Sequence, residues 1–270
     1  MGYLFSADNW EWLWTENNVS FLLEAFLVNI EIAAIAMVLA LVLGLALALA
    51  SIARSTPLRL AAKGWVDVFR NLPLIFLILY LALSLPDPVK DFWADNAPGF
   101  LPEALRGKLV LAGIIGLVLY NSAVLAEIMR AGILSLDRGQ RDAAAALGLT
   151  YRQQMRHVLL PQGLRRMVPA TVSQLITLNK DTTLVSIIAV QEVVRSGRVL
   201  SNTAGNPFVG GGTVEAPILQ VMLFIGLLFV LVNLALSRLS RRLELHEDRR
   251  TAATEPLVVT GAEEHAMARI

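Results

Sequence analysis

The stretch IAAIAMVLALVLGLALALASIA, residues 32–53, contains 22 consecutive residues without a charged side chain. As a helix it would be about 33 Å long, enough to cross the hydrocarbon core of a bilayer. The chain of 270 residues shares this bias, with 56% hydrophobic and 17% charged residues, whereas soluble domains contain about 25% charged residues. This composition excludes an ordinary soluble enzyme and a disordered protein, and it predicts an all-α membrane protein.

One transmembrane domain, residues 21–245, is predicted to contain five transmembrane helices. The predicted spans cover residues about 22–53, 65–86, 108–130, 167–194 and 216–238. The fourth is the weakest, because Lys180 and Asp181 interrupt it. Buried core helices of a soluble protein are the alternative, but cores rarely contain helices this long and this evenly apolar.

The basic residues predict the orientation of the chain. Seventeen of the 23 Lys and Arg residues lie in the first loop, in residues 127–166 and after Ser237, against five in the other loops. The positive-inside rule then places the N-terminus outside and the C-terminus inside. Residues 1–20, with Trp10, Trp12 and Trp14, are predicted to lie along the outer surface, and residues 246–270 form a polar cytoplasmic tail.

Several classes of site lack their sequence signature. None of the four lysines follows Gly and precedes Ser or Thr, so the chain has no P-loop for ATP. The three His residues are far apart and Cys is absent, so we predict neither a metal site nor catalytic residues. The basic residues alternate with membrane-length apolar runs, which argues against nucleic-acid binding.

The long inner loop, residues 131–166, reads as two short helices with a glycine between them. Asp142–Leu147 is alanine-rich and predicts a helix with Asp142 near its start, and Gly148 is placed to end it. Thr150 and Gln153 form a capping-box pattern for a second helix, which Pro161 closes or kinks. Such a pair could bind in a groove of a partner, or lie as an amphipathic helix on the membrane.

The inner loop also resembles the EAA loop of ABC importer permeases. The resemblance rests on Asp142-Ala143-Ala144, on Gly148 and on Val158-Leu-Leu-Pro161 at their spacings, with Asp142 where the family usually has Glu. Three further segments resemble the polar amino-acid branch of that family: residues 69–74 (FRNLPL), residues 127–133 (EIMRAGI) followed by Gly139-Gln140, and residues 179–186 (NKDTTLVS).

This resemblance implies a type I importer permease in the plasma or inner membrane of a prokaryote, surrounded by membrane lipid. It implies a second permease, identical or paralogous, an external solute-binding protein and cytoplasmic ATP-binding subunits that hold the ATP and magnesium. The chain would then need no cofactor and would not be an enzyme. The residues implied to contact the ATPases are Asp142, Ala143, Ala144, Leu147, Gly148, Val158 and Pro161. The substrate would be glutamate, glutamine or a basic amino acid.

The polar residues of two spans are candidates for the substrate pathway. An ionisable residue at membrane depth usually faces a cavity or a partner, and broken helices often mark the pathway of a transporter. The candidates are Asn121 and Ser122 in the third span, and Lys180, Asp181, Thr182, Thr183 and Ser186 in the fourth. The alternatives are interhelical hydrogen bonds for the first two, and a local structural role for Lys180 and Asp181.

Small residues recur at spacings of three and four in the first span, at Ala33, Ala36, Ala40, Gly44 and Ala48. They predict a close contact with another helix. Glu127 and Arg130 are spaced for a structural ion pair. Two other functions stay open at this point: a secondary transporter or channel without an ATPase, and a membrane scaffold or sensor.

Overall fold

The structure is a computed structural model that describes residues 7–14, 17–99, 101–203 and 217–254. Every regular element among these residues is a helix. The α-helices are α1 (Asn18–Ser51), α2 (Thr56–Asn71), α3 (Leu74–Ser84), α4 (Asp87–Asn96), α5 (Val110–Leu134), α6 (Arg138–Ala146), α7 (Tyr151–Gln154), α8 (Leu160–Arg166), α9 (Val168–Asp181), α10 (Val193–Thr203) and α11 (Ile218–Thr254). Short 3₁₀ segments cover Ala7–Leu13, Glu103–Arg106 and Thr182–Ile188, and a π turn covers Met155–Leu159. The all-α prediction is confirmed.

Three helices of the described part of the chain are long and apolar enough to cross a membrane. They are α1, α5 and the Ile218–Leu243 part of α11, and a fourth candidate is the bent pair of α2 and α3. α9 is too short to meet the same test, because it ends at Asp181. The count of five spans and the orientation of the termini stay predictions.

The second predicted span, residues 65–86, is not one straight helix. α2 and α3 meet at an angle of 101°, so Trp65–Asn71 does not extend α3. The residue before a proline avoids the helical region, and Leu72, which precedes Pro73, is extended with φ −77° and ψ 133°. The proline therefore breaks the span that the hydropathy predicts as continuous.

The small residues of α1 form its contact with α5, as predicted. Ala33, Ala36, Ala40, Gly44 and Ala48 are all buried. A Cβ at Gly44 would lie 3.0 Å from the Leu125 Cβ and 3.0 Å from the Ser122 carbonyl oxygen. The absence of a side chain at Gly44 therefore allows α1 and α5 to approach closely at this point.

The N-terminal segment differs from its prediction at one tryptophan. Trp12 is fully buried and packs edge-on against Phe224 of α11, with 5.9 Å between ring centroids, whereas Trp14 is 86% exposed. Burial of apolar ring area on Phe26 and Val221 explains why Trp12 lies in the protein core and not at the membrane surface. Residues 1–6 lie outside the described part of the chain.

Two helices continue past predicted segment boundaries. The predicted tail, residues 246–270, begins inside a helix, because α11 continues to Thr254. Residues 238–250 are rich in Arg, Leu and Glu, which are good helix formers. Residues 255–270 lie outside the described part of the chain. α5 likewise continues to Leu134, into the predicted inner loop.

Candidate functional site

The inner loop folds as a hairpin of two helical arms, α6 and the segment of residues 151–166; we call residues 138–166 the coupling hairpin. Asp137 caps α6, with its Oδ1 accepting a 2.6 Å hydrogen bond from the Gly139 amide. The first arm thus begins four residues earlier than predicted, and Asp142 lies in its middle. Asp137 therefore stabilises the start of α6, a role that the sequence assigns to Asp142.

Gly148 forms the corner of the hairpin, as predicted. Its φ of +76° is left-handed. The Leu149 amide donates to the Ala144 carbonyl at 3.2 Å, and the Gly148 amide donates to the Ala145 carbonyl at 2.9 Å. This pair of bonds is the Schellman pattern that ends helices at glycine.

The second arm begins at the predicted capping box. The Thr150 amide donates to Gln153 Oε1 at 2.8 Å, and the Gln153 amide donates to Thr150 Oγ1 at 3.4 Å. Pro161 does not close the arm. The π turn Met155–Leu159 comes directly before it and the helix resumes as Leu160–Arg166, because the wider turn accommodates a residue that lacks an amide hydrogen.

Most of the predicted contact residues of the hairpin are exposed. Leu147 is 80% exposed, and Asp142, Ala143, Gly148 and Pro161 are exposed as well. Val158 is half-buried, whereas Ala144 is only 3% exposed. Ala144 is therefore packed inside the protein, and the other predicted contact residues lie nearer the surface.

A tyrosine attaches the hairpin to the end of α1. The Tyr151 hydroxyl donates a 3.2 Å hydrogen bond to the Ile52 carbonyl, which follows α1 directly. The Arg54 guanidinium lies over the Tyr151 ring, 4.5 Å from its centre. The sequence patterns gave no signal for this contact, because 99 residues separate its two sides.

The predicted break in the fourth span is a change of helix type. α9 ends at Asp181, and the chain continues as the 3₁₀ segment Thr182–Ile188 up to Ala189, whose φ is +63°. Lys180 is exposed and Asp181 is half-buried. Among the described residues neither has a salt bridge, and the choice between a pathway role and a structural role for both stays a prediction.

Thr182 belongs to a fully buried polar network. Asn29 Nδ2 donates to Thr182 Oγ1 at 2.9 Å and to Glu192 Oε2 at 3.0 Å, and Asn29 Oδ1 accepts from the Val193 amide at 3.0 Å. Glu192 Oε1 accepts from the Arg195 amide at 2.7 Å and so caps α10. Asn29 and Glu192 are not among the residues predicted from the sequence, although both are polar residues inside predicted spans.

Thr183 and Ser186 line a cavity of about 470 Å³ between the 3₁₀ segment, α10 and α11. The cavity also contains Arg198 and the apolar residues Ile187, Ile225 and Phe229. Among the described residues Arg198 has no salt bridge. The cavity therefore combines two hydroxyls and a guanidinium with an apolar wall, which suits a ligand with a carboxylate.

Asn121 and Ser122 are both fully buried in α5. Asn121 Nδ2 donates to the Leu117 carbonyl at 2.8 Å, and Gln174 Nε2 of α9 donates to Asn121 Oδ1 at 2.7 Å. Ser122 Oγ donates to the Leu119 carbonyl at 2.9 Å. The structure thus contains the interhelical hydrogen bond that was the alternative for Asn121, and the pathway role of both residues stays a prediction.

Glu127 and Arg130 form the predicted ion pair, with 2.7 Å between Arg130 Nη2 and Glu127 Oε2. The pair lies in the last third of α5, close to the chain that enters the coupling hairpin.

The model of one protein family, the binding-protein-dependent transport system inner membrane component, matches residues 32–245. The chain belongs to this family. The matched segment contains all of α2 to α10, including the coupling hairpin and the break after α9. Membership makes the chain a membrane-embedded component of a transport system that works with a binding protein, located in the inner membrane.

Named relatives of this permease family resemble almost the whole chain. The probable glutamine ABC transporter permease protein GlnP of Bacillus subtilis is 32% identical and covers 87% of this chain and 97% of its own length. The glutamate/aspartate import permease protein GltK of Escherichia coli O6:H1 is 29% identical and covers 90% of this chain and 98% of its own length.

A solved structure supports the fold of the permease. The crystal structure of an amino acid ABC transporter with histidines superposes with a TM-score of 0.67 at 25% identity, covering 88% of this chain and 98% of that one. The type I importer fold implied by the EAA resemblance is therefore confirmed. Family membership also favours an ABC importer permease over the three alternatives, which were a secondary transporter, a channel and a membrane scaffold.

Proposed function

We propose that the chain is one of two permeases in an ABC importer that moves polar amino acids inward by alternating access. Cytoplasmic ATP-binding subunits bind the coupling hairpin, and an external solute-binding protein delivers the amino acid. ATP and magnesium are bound by the ATPases, so this chain contributes no catalytic group and needs no cofactor of its own.

The exposure of Leu147 on the coupling hairpin is the observation that supports this proposal best. Leu147, at the end of a capped helix, is 80% exposed, and a groove in a partner would bury it. The glycine corner and the capping box fix the angle between the arms, so a rigid element is presented. Rigidity suits a contact that must transmit movement.

Two observations support polar amino acids as the substrate class: the names of the relatives and the polar groups near the break after α9. The relatives are named for glutamine and for glutamate/aspartate. The cavity with Thr183, Ser186 and Arg198 offers hydroxyls and a guanidinium for a carboxylate. Half-buried Asp181 offers a charge for an ammonium group. The cavity would bind the carboxylate that every amino acid carries, and Asp181, two residues before Thr183 in the chain, would contact the ammonium group along the pathway.

The test is co-purification of the tagged chain from its own host in mild detergent, with partners identified by mass spectrometry. We expect a protein with a Gly-Lys-Ser/Thr P-loop in stoichiometric amount. Leu147→Glu should lose that protein, because it places a charge in the contact. Val89→Glu, at an exposed apolar residue of α4, should retain it. Equal recovery from both variants would contradict the docking of the hairpin.

A further inference from the structure

Helix α1 has a specific hydrogen-bonded contact near each of its ends. At one end the Tyr151 hydroxyl of the coupling hairpin bonds to the Ile52 carbonyl at 3.2 Å. Towards the other end Asn29 bonds to Thr182 in the 3₁₀ segment and to Glu192 at the start of α10. The same helix therefore contacts the predicted ATPase-binding element and the broken span.

The length and continuity of α1 allow it to transmit a displacement between these contacts. Asn29 and Ile52 are separated by about 35 Å along the helix axis at 1.5 Å per residue. α1 runs without interruption from Asn18 to Ser51 and contains no proline. α1 packs against α5, and Gly44 lies where the two helices approach closely. A packed, unbroken helix moves as a unit, whereas a kinked one would absorb the movement.

Tyr151 is well placed to attach the hairpin to α1. It is the first residue of α7, directly after the Thr150 cap, so the capping box fixes its position. Arg54 covers its ring at 4.5 Å, and a cation over an aromatic face is attractive. The chain itself joins the hairpin to α5, so the tyrosine gives α1 a second, separate attachment.

We propose that α1 transmits movement of the coupling hairpin to the break after α9, with Tyr151 and Asn29 as the positioning residues at its two contacts. The inference rests on the proposed function, because it needs an ATPase that moves the hairpin. It goes further by assigning a task to two residues that lie outside the EAA pattern and the substrate-pathway candidates. In this arrangement ATP binding changes the environment of Thr182–Ile188 through α1.

The absence of native cysteine makes the movement measurable with one engineered thiol. Ile187→Cys places the thiol in the 3₁₀ segment at a residue that is 49% exposed. The rate of maleimide labelling is measured in the purified complex with its ATPases, without nucleotide and with ATP plus vanadate. We expect ATP to change the rate, and Tyr151→Phe to reduce that change roughly threefold to tenfold, which is the value of one hydrogen bond.

Matched variants control for the loss of a polar group as such. Tyr80→Phe removes a hydroxyl from a tyrosine that is 66% exposed on α3, and Asn96→Ala removes an exposed amide on α4, so both should keep the full response. Asn29→Ala should reduce it like Tyr151→Phe. Combining the two should add little, because both act on one helix.

The outcomes distinguish this inference from the proposed function. If no ATPase co-purifies with the parent chain, the proposed function is wrong and the inference falls with it. If the ATPase is present, the inference alone is overturned by any of three results: ATP does not change labelling of Ile187→Cys, Tyr151→Phe responds like Tyr80→Phe, or Tyr151→Phe loses the ATPase. The last result would place Tyr151 in docking and not in transmission.

Discussion

Asn29 and Glu192 form a hydrogen bond of 3.0 Å across 163 residues of sequence, and both side chains are fully buried. Among the described residues Glu192 has no salt bridge, so amide groups satisfy its carboxylate: Asn29 Nδ2 and the Arg195 backbone. Buried polar groups without partners are costly. This network therefore fixes where the chain re-enters a helix after the break.

Replacing Asn29 with Leu should destabilise the chain. The change leaves Glu192 Oε2, Thr182 and the Val193 amide without the same partner, at a cost of about 1–3 kcal/mol. Thermal unfolding of the purified chain in detergent should therefore occur at a lower temperature. Glu192→Gln should cost less, because a neutral amide needs less compensation. An unfolding temperature for Asn29→Leu equal to that of the parent would show that the network contributes nothing to stability.

The conformation of Gly148 predicts a graded series of substitutions. A Cβ there would meet nothing within 4 Å, so only the left-handed backbone opposes a side chain. Gly148→Ala should cost about 1–2 kcal/mol in the corner, and Gly148→Asn less, since Asn tolerates this conformation. Recovery of the ATPase should fall in the same order, with insertion unchanged. Gly226→Ala is the control, because a Cβ there would also meet nothing within 4 Å and Gly226 lies inside α11. A fall in ATPase recovery for Gly226→Ala would contradict the explanation by the left-handed backbone of Gly148.

Local patterns predicted the coupling hairpin well and the second span poorly. Gly148, Thr150 and Gln153 act within a few residues of each other, so their geometry could be predicted from the sequence. The predicted start of α6 was wrong because Asp137, five residues before Asp142, caps the helix. The break at Pro73 was missed because hydropathy counts apolar residues and not the conformation that proline imposes on Leu72.

Contacts between distant segments could not be predicted from one sequence. Tyr151 and Ile52 meet only because the fold brings the hairpin to the end of α1, across 99 residues of sequence. Trp12 was expected at the membrane surface, since an indole is equally suited to a lipid headgroup and to a protein core. In both cases periodicity shows that a residue is apolar or amphipathic, and only the fold shows what it contacts.

The close approach of α1 and α5 predicts a strong size effect at Gly44. A Cβ added at Gly44 would lie 3.0 Å from Leu125 Cβ and 3.0 Å from the Ser122 carbonyl oxygen. The carbonyl oxygen belongs to the backbone, so it cannot move away by a side-chain rotation. Gly44→Val should therefore separate the helices and cost about 1–3 kcal/mol. The measurement is the unfolding temperature in detergent, against Gly226→Ala. A normal unfolding temperature for Gly44→Val would show that the helices can separate without loss.

Neutralising Asp181 tests the substrate pathway. Asp181 is half-buried at the end of α9 and, among the described residues, it has neither a salt bridge nor a cap hydrogen bond. A carboxylate without a protein partner at membrane depth is expected to bind a ligand. Asp181→Asn should lower uptake of radiolabelled glutamine, glutamate, histidine or arginine roughly tenfold or more, the value of a hydrogen bond to a charged group.

The same variant separates a pathway role from a structural one. Asp181→Asn should lower neither the unfolding temperature nor the recovery of the ATPase, because no salt bridge or cap hydrogen bond among the described residues is lost. Asp181→Glu keeps the charge and should retain part of the uptake. A large fall in unfolding temperature would instead show that the carboxylate stabilises the break, and uptake equal to that of the parent for all four amino acids would remove Asp181 from the pathway.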